Sequence, residues 1–246
     1  MHSSNVSDSP KHVKGWILDI YPSAFGEVTV WIIAENGERI RLTDEFKPKI
    51  YISGKEEDIE RLASQFFNNR MVASWNFAHK YASATDAEKS KVLEVELRDC
   101  RTASLLTRRV LEMGRYLQYQ VHNCDLRGDQ AYLYDRDIFP LAFAEVEVEQ
   151  SALKYDLLDY VESVDYQIPP LRIMKIHVDV AKRGKIANLN DPIDKIVVNQ
   201  ADNEILIDFG KEREQLLQLV DVVKELDPDI VLTRGGDSYL FPYLTY

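Results

Sequence analysis

Cysteine is scarce in this chain, with two in 246 residues, Cys100 and Cys124. Two thiols so far apart in sequence exclude a disulfide framework and a zinc site of the paired-cysteine kind, so both read as reduced thiols. Long apolar runs are missing as well. No stretch approaches the ~20 residues that span a bilayer, and the opening MHSSNVSDSPKHVKG lacks the apolar core of a secretory signal. These absences predict a soluble, cytoplasmic protein with no membrane partner. Positive charge is short too: 30 Lys and Arg face 41 Asp and Glu, a formal charge of −11. Phosphate neutralisation needs clustered cations, so a surface that grips nucleic acid over its whole extent is excluded.

The charge deficit is uneven. Residues 1–140 hold 19 Lys and Arg against 21 Asp and Glu, while residues 141–246 hold 11 against 20. Nucleic acid would therefore meet the first part, around Lys47 and Lys49, Arg98 and Arg101, or Arg108 and Arg109. The alternative for each pair is a solvated surface charge. Hydrophobic residues make up 45% of the chain, enough to fill one large core or two small ones.

Residues 1–14 are polar, with Ser3, Ser4, Ser7, Ser9 and Pro10, and predict a disordered leader. From Gly15 short β-rich runs follow: GWILDIY, VTVWIIAE, an Asn36-Gly37 turn dipeptide and ERIRLT, an antiparallel meander. Next comes a βαββαβ order. KIYISG, MVASWNFAHKY, KVLEVELRD and QYQVHNC read as strands, EEDIERLASQFF and CRTASLLTRRVLEMGRYL as helices. Ile59, Leu62, Ala63 and Phe66 make one apolar helical stripe, and Leu106, Val110, Met113 and Leu117 another. This is the split βαβ arrangement of ferredoxin-like folds, which by itself names no function.

An RNA-recognition module would carry stacking aromatics and a basic, glycine-rich signature on its third strand, and VLEVEL has neither. Tyr51, Trp75 and Phe77 could stack bases or could equally be core. DQAYLYDRDIFPLAFAEVEVEQ reads as a partly strand-like connector, and residues 151–170 as a linker ending at Pro169-Pro170. Beyond it come three strands (LRIMKIHVDV, DKIVVNQ, EILIDFG), a helix with Leu216, Leu217, Val220 and Val223 on its packing face, and the strand DIVLT. That order opens a ribonuclease-H-like α/β domain over 171–246.

The stretch KELDPDIVLTRGGDSYLFPYL at 224–244 closely resembles the second exonuclease motif of archaeal family-B DNA polymerases. WILDIY at 16–21, FKPKIYI at 46–52 and YLYDRDIFPL at 132–141 fit the same family in the same order. The resemblance implies a polymerase N-terminal domain over 15–150, followed by the first part of a 3′–5′ exonuclease domain. It implies DNA, as template or single strand, and the other polymerase domains as partners. Intact members of the family cut DNA with Mg²⁺ or Mn²⁺ held by carboxylates, because hard divalent ions prefer oxygen ligands.

Matched residue by residue, the resemblance implies a degenerate cleft without catalytic residues and without a cofactor in this part of the chain. The family's Asp-Ile-Glu triplet falls on His177, Val178 and Asp179, so one acid is lost and one shortened. In the second motif its Asn and Asp fall on Gly235 and Leu240. Moving the match so that Asp179 leads would put Ala181 in the Glu position and rescue nothing. Asp179 is the one metal ligand left, if any. His177 reads as a structural strand histidine, with a zinc or manganese ligand as the alternative. Asp237 is either a surviving acid or a helix cap. Pro48 falls where the family has a proline of a template-base pocket, or simply starts a strand. The other pocket positions fall on Pro22, Asp125, Leu126, Arg127, Gly128 and Ala131, which depart from the family's residues.

Overall fold

The computed structural model describes residues 12–23, 26–66, 69–83, 85–149, 152–181 and 190–245. They fall into two units that divide between Pro169 and Pro170. Most of the expected leader lies outside the described residues, but its end does not: His12–Lys14 already belong to the first strand.

The first unit begins with an antiparallel meander. β1 (His12–Pro22) pairs with β2 (Glu27–Ala34), and β2 with β3 (Arg39–Glu45). The turn between β2 and β3 runs through Asn36 and Gly37, and Gly37 sits at φ 84°, a conformation that costs glycine little. The chain returns to this sheet much later, with β8 (Phe143–Glu149) on the free side of β1 and β9 (Ala152–Leu157) beyond it. The order is therefore β3-β2-β1-β8-β9. β9 occupies the start of the stretch read as linker, so irregular backbone begins only at Leu158. The connector read as partly strand-like does hold β8, but it opens with a helix, α3 (Gly128–Arg136), with Asp129 in its first turn and Arg136 in its last, as the helix dipole favours. From it Tyr132, fully buried, enters the core of this sheet beside Ile17, Val30 and Ala142.

Between β3 and β8 lies the βαββαβ unit: β4 (Lys49–Gly54), α1 (Glu56–Ala63), β5 (Val72–Lys80), β6 (Ser90–Leu97), α2 (Ala103–Met113) and β7 (Tyr119–His122). Its strands run β5-β6-β4-β7, every neighbour antiparallel, which is the ferredoxin-like order. Ile59, Leu62, Ala63 and Phe66 all enter its core, as their spacing predicts. The second stripe is cut short. Leu106 and Val110 are buried, but α2 stops at Met113 and leaves Met113 and Leu117 exposed. The cause is local: a Cβ on the capping Gly114 would fall 2.6 Å from the Tyr119 ring, which packs against bare backbone there.

The second unit holds β10 (Ile173–Val180), β11 (Ile193–Gln200), β12 (Asn203–Ile207), α4 (Glu212–Leu226) and β13 (Ile230–Thr233). The sheet order is β12-β11-β10-β13, antiparallel except for β13, which runs parallel to β10. A π-helical turn, Gly236–Leu240, leads into the short helix α5 (Phe241–Thr245). The face of α4 that packs centres on Leu219, with Gln215, Val222, Val223 and Leu226 around it, so Leu217 and Val220 of the expected stripe point outward. The buried Gln215 donates its side-chain amide to the Asp194 carbonyl, while its side-chain oxygen has no hydrogen-bond partner among the described residues. No helix among the described residues is long and apolar enough to cross a membrane.

Candidate functional site

Strand alternation on β10 decides which side chains can meet a ligand. Met174 and Ile176 enter the core, which leaves Lys175, His177 and Asp179 on the other face. His177 and Asp179 are two residues apart and therefore neighbours, with Nε2 of His177 3.1 Å from Oδ1 of Asp179. Lys195 stands directly across from Asp179 on β11, and its ammonium lies 3.4 Å from Oδ2. Both carboxylate oxygens are thus engaged, one by an imidazole and one by a cation. The pairing slips just past this point, since Asp179 faces Lys195 but Val180 faces Ile193, so Asp194 is the extra residue of a bulge beside the acid. Among the described residues no group of three or more His, Cys, Asp and Glu is placed to hold a metal ion.

The second motif divides its residues between packing and turns. Asp227 takes the left-handed conformation that ends α4, at φ 42°, and pairs with Arg172 at 2.8 Å. Asp229 accepts the Arg172 backbone N–H at 2.7 Å and so fixes the entry to β10. Gly235 precedes the π-helical turn at φ 69°. Gly236 is hemmed in, because a Cβ there would lie 2.9 Å from the Phe241 ring and 3.0 Å from Thr233 Cγ2. Leu240 is buried among Leu219, Ile193 and Tyr243. Tyr243 donates its hydroxyl to the Asp191 carbonyl at 2.6 Å, and burial beside Glu212 pushes that hydroxyl's pKa up. Asp237 is exposed and caps no helix.

In the first unit Pro48 is buried just before β4, where its carbonyl accepts the Leu97 N–H at 2.9 Å. Pro22, Cys100 and Gly128 pack on one another: a Cβ on Gly128 would lie 2.5 Å from Pro22 Cγ and 3.0 Å from Cys100 Sγ. Arg127 turns to Asp129 at 2.8 Å, and Ala131 packs against the core of the first sheet. Of the aromatics, Tyr51 is half-buried with the Lys80 ammonium 5.5 Å from its ring centre. Burial, with Glu94 beside it, pushes its hydroxyl up to about 12. Trp75 packs at the edge of the ferredoxin-like core, and Phe77 lies under the Lys91 ammonium.

Sequence reasoning missed Lys195. Its partner on β10 follows only from the strand register, which no local pattern encodes.

No family model matches the chain. Curated relatives do. A DNA polymerase of Archaeoglobus fulgidus is 24% identical over 243 residues, covering 95% of this chain and 30% of the relative. One from Thermococcus litoralis is 24% identical over 85% of this chain and 12% of its own length. A DNA polymerase of Pyrococcus horikoshii reaches 52% identity, but over 35 residues only. Among solved structures, the family B DNA polymerase of Pyrobaculum calidifontis superposes with a TM-score of 0.77 over 94% of this chain and 32% of its own, at 23% identity. This chain spans about 30% of the length of the Archaeoglobus relative.

Proposed function

We propose that this chain, a homologue of archaeal DNA polymerases with the fold of the corresponding part of a family B enzyme, is a non-catalytic front region of such a polymerase. Its exonuclease-type cleft does not cut DNA, and its partners are the DNA template and the remaining polymerase domains. The observation that carries this reading is the occupation of Asp179. A pair of Mg²⁺ or Mn²⁺ ions needs several converging carboxylate oxygens. Here the one acid on the strand already faces the Lys195 ammonium and the His177 ring, at 3.4 Å and 3.1 Å. A metal ion entering beside Asp179 would meet a like charge within a few ångströms and find no second carboxylate from β10. The donor set therefore does not fit a two-metal centre. Leu240 supports the same reading, since its side chain fills the core of this unit.

The test is cleavage of a 5′-labelled single strand by the chain with Mg²⁺ or Mn²⁺, alongside calorimetric titration with Mn²⁺. Neither degradation nor saturable Mn²⁺ binding is expected. The double substitution His177→Asp with Lys195→Ala supplies a second carboxylate and removes the competing ammonium, and should create measurable Mn²⁺ binding. Degradation by the unaltered chain that disappears in Asp179→Ala would overturn the reading.

A further inference from the structure

We propose that three arginines of the ferredoxin-like unit, Arg70, Arg98 and Arg109, form with Trp75 a binding site for single-stranded DNA. Arg70, Arg98 and Trp75 line a hollow of about 800 Å³ with Phe66, Asn69 and Ser74. Phe66 and Asn69 also line a second hollow of about 310 Å³, whose wall carries Arg109. The two share these residues and so adjoin.

Ion pairing sets these arginines apart from most others of the first unit; Arg41 and Arg115 also lack a carboxylate partner among the described residues, but they line neither hollow. In the first unit Arg61 pairs with Asp58, Arg101 with Asp99, Arg108 with Glu112, Arg127 with Asp129 and Arg136 with Asp44. Among the described residues Arg70, Arg98 and Arg109 have no carboxylate partner. The sequence offers Arg98 with Arg101, and Arg108 with Arg109, as basic pairs. The fold neutralises one member of each and turns the other to the same pair of hollows, where Arg70 joins them. Of the nearby acids, Glu112 is paired with Arg108, while Glu96 accepts the Ser74 hydroxyl, which does not cancel its charge. A chain of formal charge −11 thus keeps three guanidinium groups without an ion-pair partner around two adjoining hollows.

Guanidinium groups bind phosphate oxygens through paired N–H donors, and an indole ring stacks on a base. Trp75 is half-buried, with the edge of its ring system set against Phe77 at 5.8 Å, so its position is fixed by packing. The Asn69 side-chain amide offers N–H donors beside the arginines and the ring, its oxygen being taken by the Met71 N–H. A single strand fits this combination better than a duplex, because duplex bases are already stacked and cannot reach an indole. The choice of DNA over other polyanions rests on the polymerase reading above.

The experiment is fluorescence anisotropy of a labelled dT12 oligonucleotide with the whole chain, titrated at several salt concentrations. Three phosphate contacts predict a slope of about −2 for log affinity against log salt. Arg70→Gln, Arg98→Gln and Arg109→Gln together should weaken binding by roughly tenfold or more at low salt and flatten that slope. The charge-matched control, Arg61→Gln with Arg101→Gln and Arg108→Gln, should bind like the parent within about twofold, because its three arginines are already paired. Trp75→Leu should weaken binding without changing the slope. The arginine variants are exposed, so the test stands even if Trp75→Leu unfolds. Parent-like binding by the triple variant, equal loss in the control, tighter binding of duplex or of rU12, or no binding of dT12 at low salt would each overturn the proposal. The reading of a cleft that does not cut DNA is judged separately, by cleavage and Mn²⁺ binding.

Discussion

Asp44 carries more of the first unit than any neighbour in sequence suggests. It is fully buried at the end of β3, and its carboxylate accepts the Tyr132 hydroxyl at 2.7 Å, the Arg136 guanidinium at 2.9 Å and the Leu153 amide at 3.1 Å. Burial, with Tyr155 and Asp44 adjacent, pushes the Tyr132 hydroxyl's pKa well up, so it stays a neutral donor. One side chain thus ties β3, α3 and β9 together. Removing it leaves the buried Leu153 N–H without its acceptor and takes one of two carboxylates from Arg136, which keeps Asp135 at 2.8 Å, so Asp44→Ala should cost about 2–4 kcal/mol in urea unfolding. Asp44→Asn, which keeps an acceptor but loses the charge, should cost less. At this scale the sequence is nearly silent. Asp44 looks like any strand-end acid, and its three partners lie 88 to 109 residues away. Asp179 is the counterpart in the second unit: its identity is legible, but Lys195 opposite is a product of register.

Helices show where a pattern suffices and where it does not. The α1 stripe is read correctly because its four apolar positions fit one face and nothing interrupts them. In α2 the same reasoning overruns, since the Tyr119 ring claims the space at Gly114 and ends the helix one turn early. In α4 two apolar stripes compete, and only packing against the sheet selects the one centred on Leu219. α3 was hidden by its strand-like aromatic residues, although Asp129 and Arg136 at its ends were a usable signal. Its end offers a direct check. Asp137 adopts the left-handed conformation at φ 52° after the last turn, where glycine is less strained. Asp137→Gly should therefore stabilise the chain by up to about 1 kcal/mol, read as a shift of the urea midpoint at constant slope.

For the whole chain, the boundary at Pro169 and Pro170 has a mechanical consequence. Leu158 to Arg172 holds no strand or helix, and Tyr160 and Val164 are 77% and 91% exposed. Chymotrypsin at low ratio should cut first in this stretch, at Leu158, Tyr160 or Tyr166, and mass spectrometry should find two fragments that resist further digestion. Early cleavage inside β8 or β11 would contradict this. By itself the sequence determined the opening meander, the ferredoxin-like unit, the strand and helix order of the second unit and the likeness to archaeal polymerases, because periodicity and short motifs are local and survive without a fold. Only the tertiary structure decided which charges are cancelled and which are free. Asp179 is engaged by Lys195, and Arg101 and Arg108 are engaged by acids, while Arg70, Arg98 and Arg109 gather around shared hollows. The reason is distance: electrostatic attraction depends on separation in space, and strand pairing and helix docking set those separations between residues the sequence keeps apart.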